Sequence, residues 1–186
     1  MEKQPSETNY EKTKIEPKIY VASRADYNSG ILHGTWIDAN QEADDIYLEI
    51  AQMLNKSKQP NAEEWAIHDY EGFGPVEISE FESIKIISAL GKGINEHGLA
   101  FSHFVQMVGT KDLDDLNNFN DVYIGKWDSL EQYAREMLDD FGLNLDDCVP
   151  EFIKPYVHID IDSFAQDLKN DLFISEDGDG VYVFSF

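Results

Sequence analysis

The sequence predicts an α+β protein made of three small consecutive domains, and three observations carry that expectation. Short β-branched and aromatic runs stand near both ends of the chain, Lys18-Ile-Tyr-Val-Ala-Ser23 and Val181-Tyr-Val-Phe-Ser185. Helical apolar spacings separate them, as in Ala43, Ile46, Tyr47, Ile50, Met53 and Leu54. Glycine and proline breaks recur, at Gly72, Gly74 and Pro75, at Gly91 and Gly93, and at Pro150 and Pro155. The expected division is a tail over 1–17, a sheet-plus-helix domain over 18–78, a helical middle domain over 79–120 and a mixed α/β domain over 121–186.

The first 18 residues carry four Glu, four Lys and two Pro with almost no aliphatic side chains, so the tail has nothing to bury. The first domain opens with the strand at 18–23 and a second strand at 31–37, joined by the turn residues Tyr27-Asn-Ser-Gly30. The amphipathic helix over 43–54 follows, and Trp65-Ala-Ile-His-Asp-Tyr70 returns as a strand. Ser79-x-x-Glu82 reads as a capping box opening a helix that Gly91 and Gly93 end. A second helix is expected over 95–108 and a short one after Lys111. In the last domain Val122-Tyr-Ile124 reads as a strand, and Ser129-x-x-Gln132 caps a helix running to Phe141. A short helix over 163–170 precedes a hairpin of 172–175 and 181–185 across Glu176-Asp-Gly-Asp-Gly180.

Charge narrows the function more than any motif does. The chain holds 37 acids against 14 bases, a net −23. A nucleic-acid binder needs a cationic surplus to displace counterions from phosphate, and only two arginines are present, Arg24 and Arg135. An anionic membrane surface repels such a chain. There is no apolar run of the roughly 18 residues a span requires, and the first 18 residues show no apolar stretch of a secretory signal. The cytoplasm is the expected location. A field of this size attracts a strongly basic partner surface instead.

The charge is graded: residues 19–108 hold 14 acids and 5 bases, residues 109–186 hold 19 acids and 5 bases. It is also sorted by face. With Asp128 at zero on a wheel of about 100° per residue, Leu130, Tyr133, Ala134, Met137, Leu138 and Phe141 fall between about 140° and 280°. Asp128, Glu131, Glu136, Asp139 and Asp140 fill the rest of the arc, with Arg135 as the one counter-charge. An ordinary solvated helix intersperses Lys with Glu to gain small i,i+4 attractions; here like charges accumulate, at a cost in self-repulsion.

Catalytic and metal motifs are missing. There is no Gly-rich phosphate loop, no P-loop and no H-E-x-x-H. The single cysteine, Cys148, follows Asp146 and Asp147, whose carboxylates oppose a thiolate nucleophile. His33, His68, His97, His103 and His158 are dispersed, and His97 and His103, six apart, cannot share a helix face. Asp160-Ile-Asp162 and Asp177-Gly-Asp179-Gly180 are acid-rich enough for a hard cation but lack the twelve-residue calcium-loop spacing. A calcium- or cation-binding acidic module is therefore the alternative reading, and an acidic hydrolase a third. No cofactor is expected.

Several stretches together resemble the ArdA antirestriction family. They are Ile19-Tyr-Val-Ala22, Tyr27-Asn-Ser-Gly-Ile-Leu-His-Gly-Thr-Trp36 and Trp65-Ala-Ile-His-Asp-Tyr-Glu-Gly72, then Phe101-Ser-His-Phe104, Tyr133-Ala-Arg135, 156–168 and Gly180-Val-Tyr-Val-Phe184. The resemblance implies a non-enzymatic DNA mimic, elongated and homodimeric. Such a protein occupies the DNA groove of type I restriction-modification enzymes and protects incoming mobile DNA. It also implies that acids of the middle and last domains stand in collectively for phosphates: Asp112, Asp114, Asp115, Asp121, Asp128, Glu131, Glu136, Asp139, Asp140, Asp146 and Asp147. A dimer would carry twice −23, or −46, the charge of about 78 Å of duplex at one charge per about 1.7 Å.

Overall fold

The computed structural model describes residues 15–109, 112–142 and 149–186. It is mixed α+β, with two three-stranded antiparallel sheets and, among the described residues, eight α-helices. Two compact units account for it: residues up to 73 together with 78–98, and residues 74–77 together with 99–186. The stretch over 79–120, read from sequence as a middle domain, is thus shared between the two. No helix among the described residues is long and apolar enough to cross a membrane.

In the first unit β1 (Lys18–Ser23) is the central strand, flanked by β2 (Gly34–Asp38) and β3 (Trp65–Glu71). Its alternate residues Ile19 and Val21 are fully buried, as a strand with one covered face requires. The helix α2 (Ala43–Leu54) covers that face with Ile46, Ile50 and Met53, the positions its 3.6-residue spacing selects.

Two expectations shift at the start of this unit. The run 27–30 does not simply turn: α1 (Arg24–Asn28) forms first, because Ser23 caps it by accepting from the Asp26 amide. The second strand accordingly starts at Gly34 instead of Ile31.

The helix α3 (Ile84–His97) departs most from expectation. Ser79 and Glu82 close a turn, the Glu82 amide donating to the Ser79 carbonyl at 3.1 Å, and the helix starts only after Ser83. It then runs straight through Gly91 and Gly93 to stop at Gly98, whose φ of 67° is open to glycine. Gly91 is needed for packing: a Cβ there would lie 2.8 Å from the Ala39 Cβ and closer still to the Ala39 carbonyl. Helix and loop backbones approach so closely that only a missing side chain fits.

In the second unit β6 (Gly180–Ser185) is central, between β4 (Tyr123–Trp127) and β5 (Leu172–Asp177). Val181, Tyr182, Val183 and Phe184 are all buried because both faces of this strand are covered. Val181 and Val183 join the core formed by α7 (Leu130–Asp140) and α8 (Ile161–Leu168). Tyr182 and Phe184 face the other way, toward α4 (Leu99–Val108), where Phe104 and His103 meet them. The short helices α5 (Leu113–Leu116) and α6 (Phe119–Val122) lead into β4, and Phe119 stacks on Tyr123 with centroids 4.9 Å apart. The last helix starts two residues earlier than expected, because Asp160 caps it by accepting from the Ser163 amide at 3.0 Å.

Candidate functional site

The acid-bearing elements of the second unit are positioned by their apolar sides. In α7 the Ser129 hydroxyl accepts from the Gln132 amide, and the Gln132 side chain in turn accepts from the Asp128 amide at 3.2 Å, a variant of the expected capping box. Leu130, Tyr133 and Ala134 are buried against Ala165, Leu168, Val181 and Val183. That packing turns Asp128, Glu136, Asp139 and Asp140 to solvent, with Glu131 half-buried beside them. Phe141, placed on the core arc by the wheel, is exposed instead, since it is the residue that caps the helix C-terminus.

The individual carboxylates differ in how firmly they are held. Glu136 accepts from the Trp127 indole at 2.6 Å and from the Gln132 amide group at 3.0 Å. The Glu131 carboxyl is held below the usual carboxylate range, chiefly by its own amide N–H and then by the Ser129 hydroxyl. Asp112 caps α5 by accepting from the Asp114 amide at 2.9 Å, and Asp114 and Asp115 occupy the first turn, where the helix dipole favours them. Asp121 is exposed on α6. Asp146 and Asp147, with Cys148, lie outside the described residues.

Asp139 and Asp140 are placed against the helix dipole. They sit in the last turn of α7, where cations are favoured, and that turn contains no basic residue. Nor do the last turns of α2, α5 and α8. Helix stability alone does not select this pattern.

Sequence reasoning passed over three further carboxylates as site residues. Asp128 and Glu131 line a hollow of about 450 Å³ together with Glu176, Asp177 and Asp179 of the β5–β6 turn and with Lys169. The signal is present as Asp-Gly-Asp-Gly, which the sequence offers as a hairpin turn or a calcium loop. Its chemistry here is that of the turn. Asp177 Oδ1 accepts from the Asp179 amide at 2.7 Å, and Asp179 is paired with Lys126. Among the described residues no three His, Cys, Asp or Glu converge as a metal site would need. Asp160, the other calcium candidate, is occupied as the cap of α8.

His103 is the residue the sequence least foretold. Its ring is buried, with Nδ1 at 2.7 Å from Ser175 Oγ and Nε2 at 2.9 Å from Asp177 Oδ2, and it stacks on Tyr182 at 4.2 Å. Serine, histidine and aspartate in this order resemble a nucleophile with its base. Ser175 is itself buried beneath α4, however, and does not line the hollow. The arrangement joins helix to hairpin.

In the first unit, two of the stretches singled out from the sequence meet: Tyr27 packs edge-on against His68 at 4.6 Å. The family model described as antirestriction protein (ArdA) matches residues 19–182. The chain belongs to the ArdA antirestriction family. The match runs from Ile19 on β1 to Tyr182 on β6, so β2 to β5, α7 and the acidic turn lie within the ArdA region, and the last three residues of β6 lie beyond it. A comparison with curated proteins finds no match.

Proposed function

We propose that this ArdA family member inhibits type I restriction-modification enzymes by filling their DNA groove with carboxylates in place of phosphates. The observation that carries the reading is the face-sorting of α7. Leu130, Tyr133 and Ala134 are buried, its acids lie toward the solvent side, and Asp139 and Asp140 stand at the end of the helix where they cost stability. Asp112, Asp114, Asp115, Asp121, Asp128, Glu131, Glu136, Asp139 and Asp140 act collectively, joined by Asp146 and Asp147. A homodimer acting in the cytoplasm doubles the display to −46 from the −23 of each chain. Catalysis is no part of this role, since an occupied groove suffices to protect incoming DNA.

The acids need not copy each phosphate position. A groove that binds DNA does so largely by non-specific charge attraction, and a rigid acidic surface competes on the same terms. The direct test is cleavage of an unmodified plasmid by a purified type I enzyme, titrated with the protein. Loss of cleavage at near-stoichiometric protein is expected. Full cleavage at a large excess would refute the reading.

A further inference from the structure

We infer that His103 is a positioning residue for the acidic face: acting through Asp177, it fixes the β5–β6 turn, and with it Glu176 and Asp179, in a geometry ready for a basic partner surface. The inference deepens the proposed function and rests on it.

Strand geometry places the parts. Ser175 pairs with Tyr182 across β5 and β6, so Ser175, Asp177 and Tyr182 share the sheet face on which α4 lies. His103 projects from α4 onto that face, 74 residues before Asp177 in sequence. Asp177 Oδ2, as a carboxylate oxygen, accepts from Nε2–H, and in the neutral ring this tautomer leaves Nδ1 to accept from the Ser175 hydroxyl. The carboxylate is thereby fixed at both oxygens, since Oδ1 accepts from the Asp179 amide. One carboxylate thus ties the turn to itself and to a helix. Glu176 meets Lys169 at 3.4 Å and Asp179 pairs with Lys126, so the flanking acids are also restrained. Binding a partner with side chains already ordered avoids the entropy of ordering them on contact.

The test separates the Asp177 contact from mere filling of the site. Glutamine places an amide where Nε2 stood, whereas asparagine reaches only toward the Nδ1 position. His103→Gln should bind a type I methyltransferase core within about twofold of the natural protein. His103→Asn should lose about five- to tenfold, with faster amide exchange at Gly178–Gly180 and an unchanged fold by circular dichroism. Equal affinities for the two variants would overturn the inference. Should neither variant fold, exchange in the natural protein decides: a protected Asp179 amide supports the clamp, and an amide exchanging as in free peptide overturns it. Failure of the proposed function reads differently, as a natural protein that does not bind the core although its turn amides are protected.

Discussion

His103 Nε2 lies 2.9 Å from Asp177 Oδ2, joining the fourth helix to the last hairpin across 74 residues of sequence. Asp177 has a pH signature. Burial pushes the Asp177 carboxyl up, but the Asp179 amide and the His103 imidazole outweigh it, and the group is held below the usual carboxylate range. A carboxyl lowered by folding adds stability above its unfolded value of about 3.9 and loses it as pH falls through the folded value. Asp177→Asn should therefore lower stability at pH 7 by roughly 1–3 kcal/mol, with the difference shrinking below about pH 4. Urea unfolding of both proteins at pH 7 and pH 3 checks this.

Gly91→Ala should destabilise the first unit. The added methyl meets the Ala39 backbone and Cβ, and a forced separation of closely packed elements costs roughly 1–3 kcal/mol. A substitution that ordinarily improves an exposed helix interior by about 1 kcal/mol is expected here to lower the urea midpoint. An unchanged or higher midpoint would mean that the helix does not approach this loop as described.

Much of the fold was legible because it is local. The α2 spacing, the Ser129 cap of α7 and the alternation of β1 each lie within a dozen residues, and the structure realises them. Gly91 was misread as a stop because its neighbour, Ala39, is more than fifty residues away. The same distance problem hid His103, whose partners Ser175 and Asp177 lie beyond any sequence window. Acid positions on α7 were readable from periodicity. That Asp177 is clamped while Asp139 stands free on the surface depends on tertiary packing, and no spacing rule reports it.

Charge and stability should trade off at the end of α7. Asp139→Asn with Asp140→Asn removes two anions from the negative end of the helix dipole, an effect of roughly 0.3–1 kcal/mol each. The double variant should unfold at slightly higher urea and bind its enzyme slightly more weakly, while Asp139→Asn alone leaves inhibition nearly intact. Complete loss of inhibition in the single variant would point to a discrete site in place of a summed field.

The protein should be a dimer held mainly by apolar contacts, since two chains of −23 repel each other. Exposed aromatic side chains such as Phe141, Phe152, Tyr156 and Phe186 supply material for such a contact. Light scattering at micromolar concentration should give a dimer in both 50 mM and 500 mM salt. A monomer at both would remove dimerisation from the mechanism.

Mutual exclusion with DNA tests mimicry most directly. Labelled duplex bound to a type I methyltransferase core is titrated with the protein at several salt concentrations, and fluorescence anisotropy reports displacement. If carboxylates occupy the phosphate groove, the duplex is released completely and no complex holds both. Fixed carboxylates keep a more diffuse counterion cloud than DNA, so affinity should fall with salt less steeply than about −0.9 per neutralised phosphate. A ternary complex of enzyme, duplex and protein would contradict the mimicry outright.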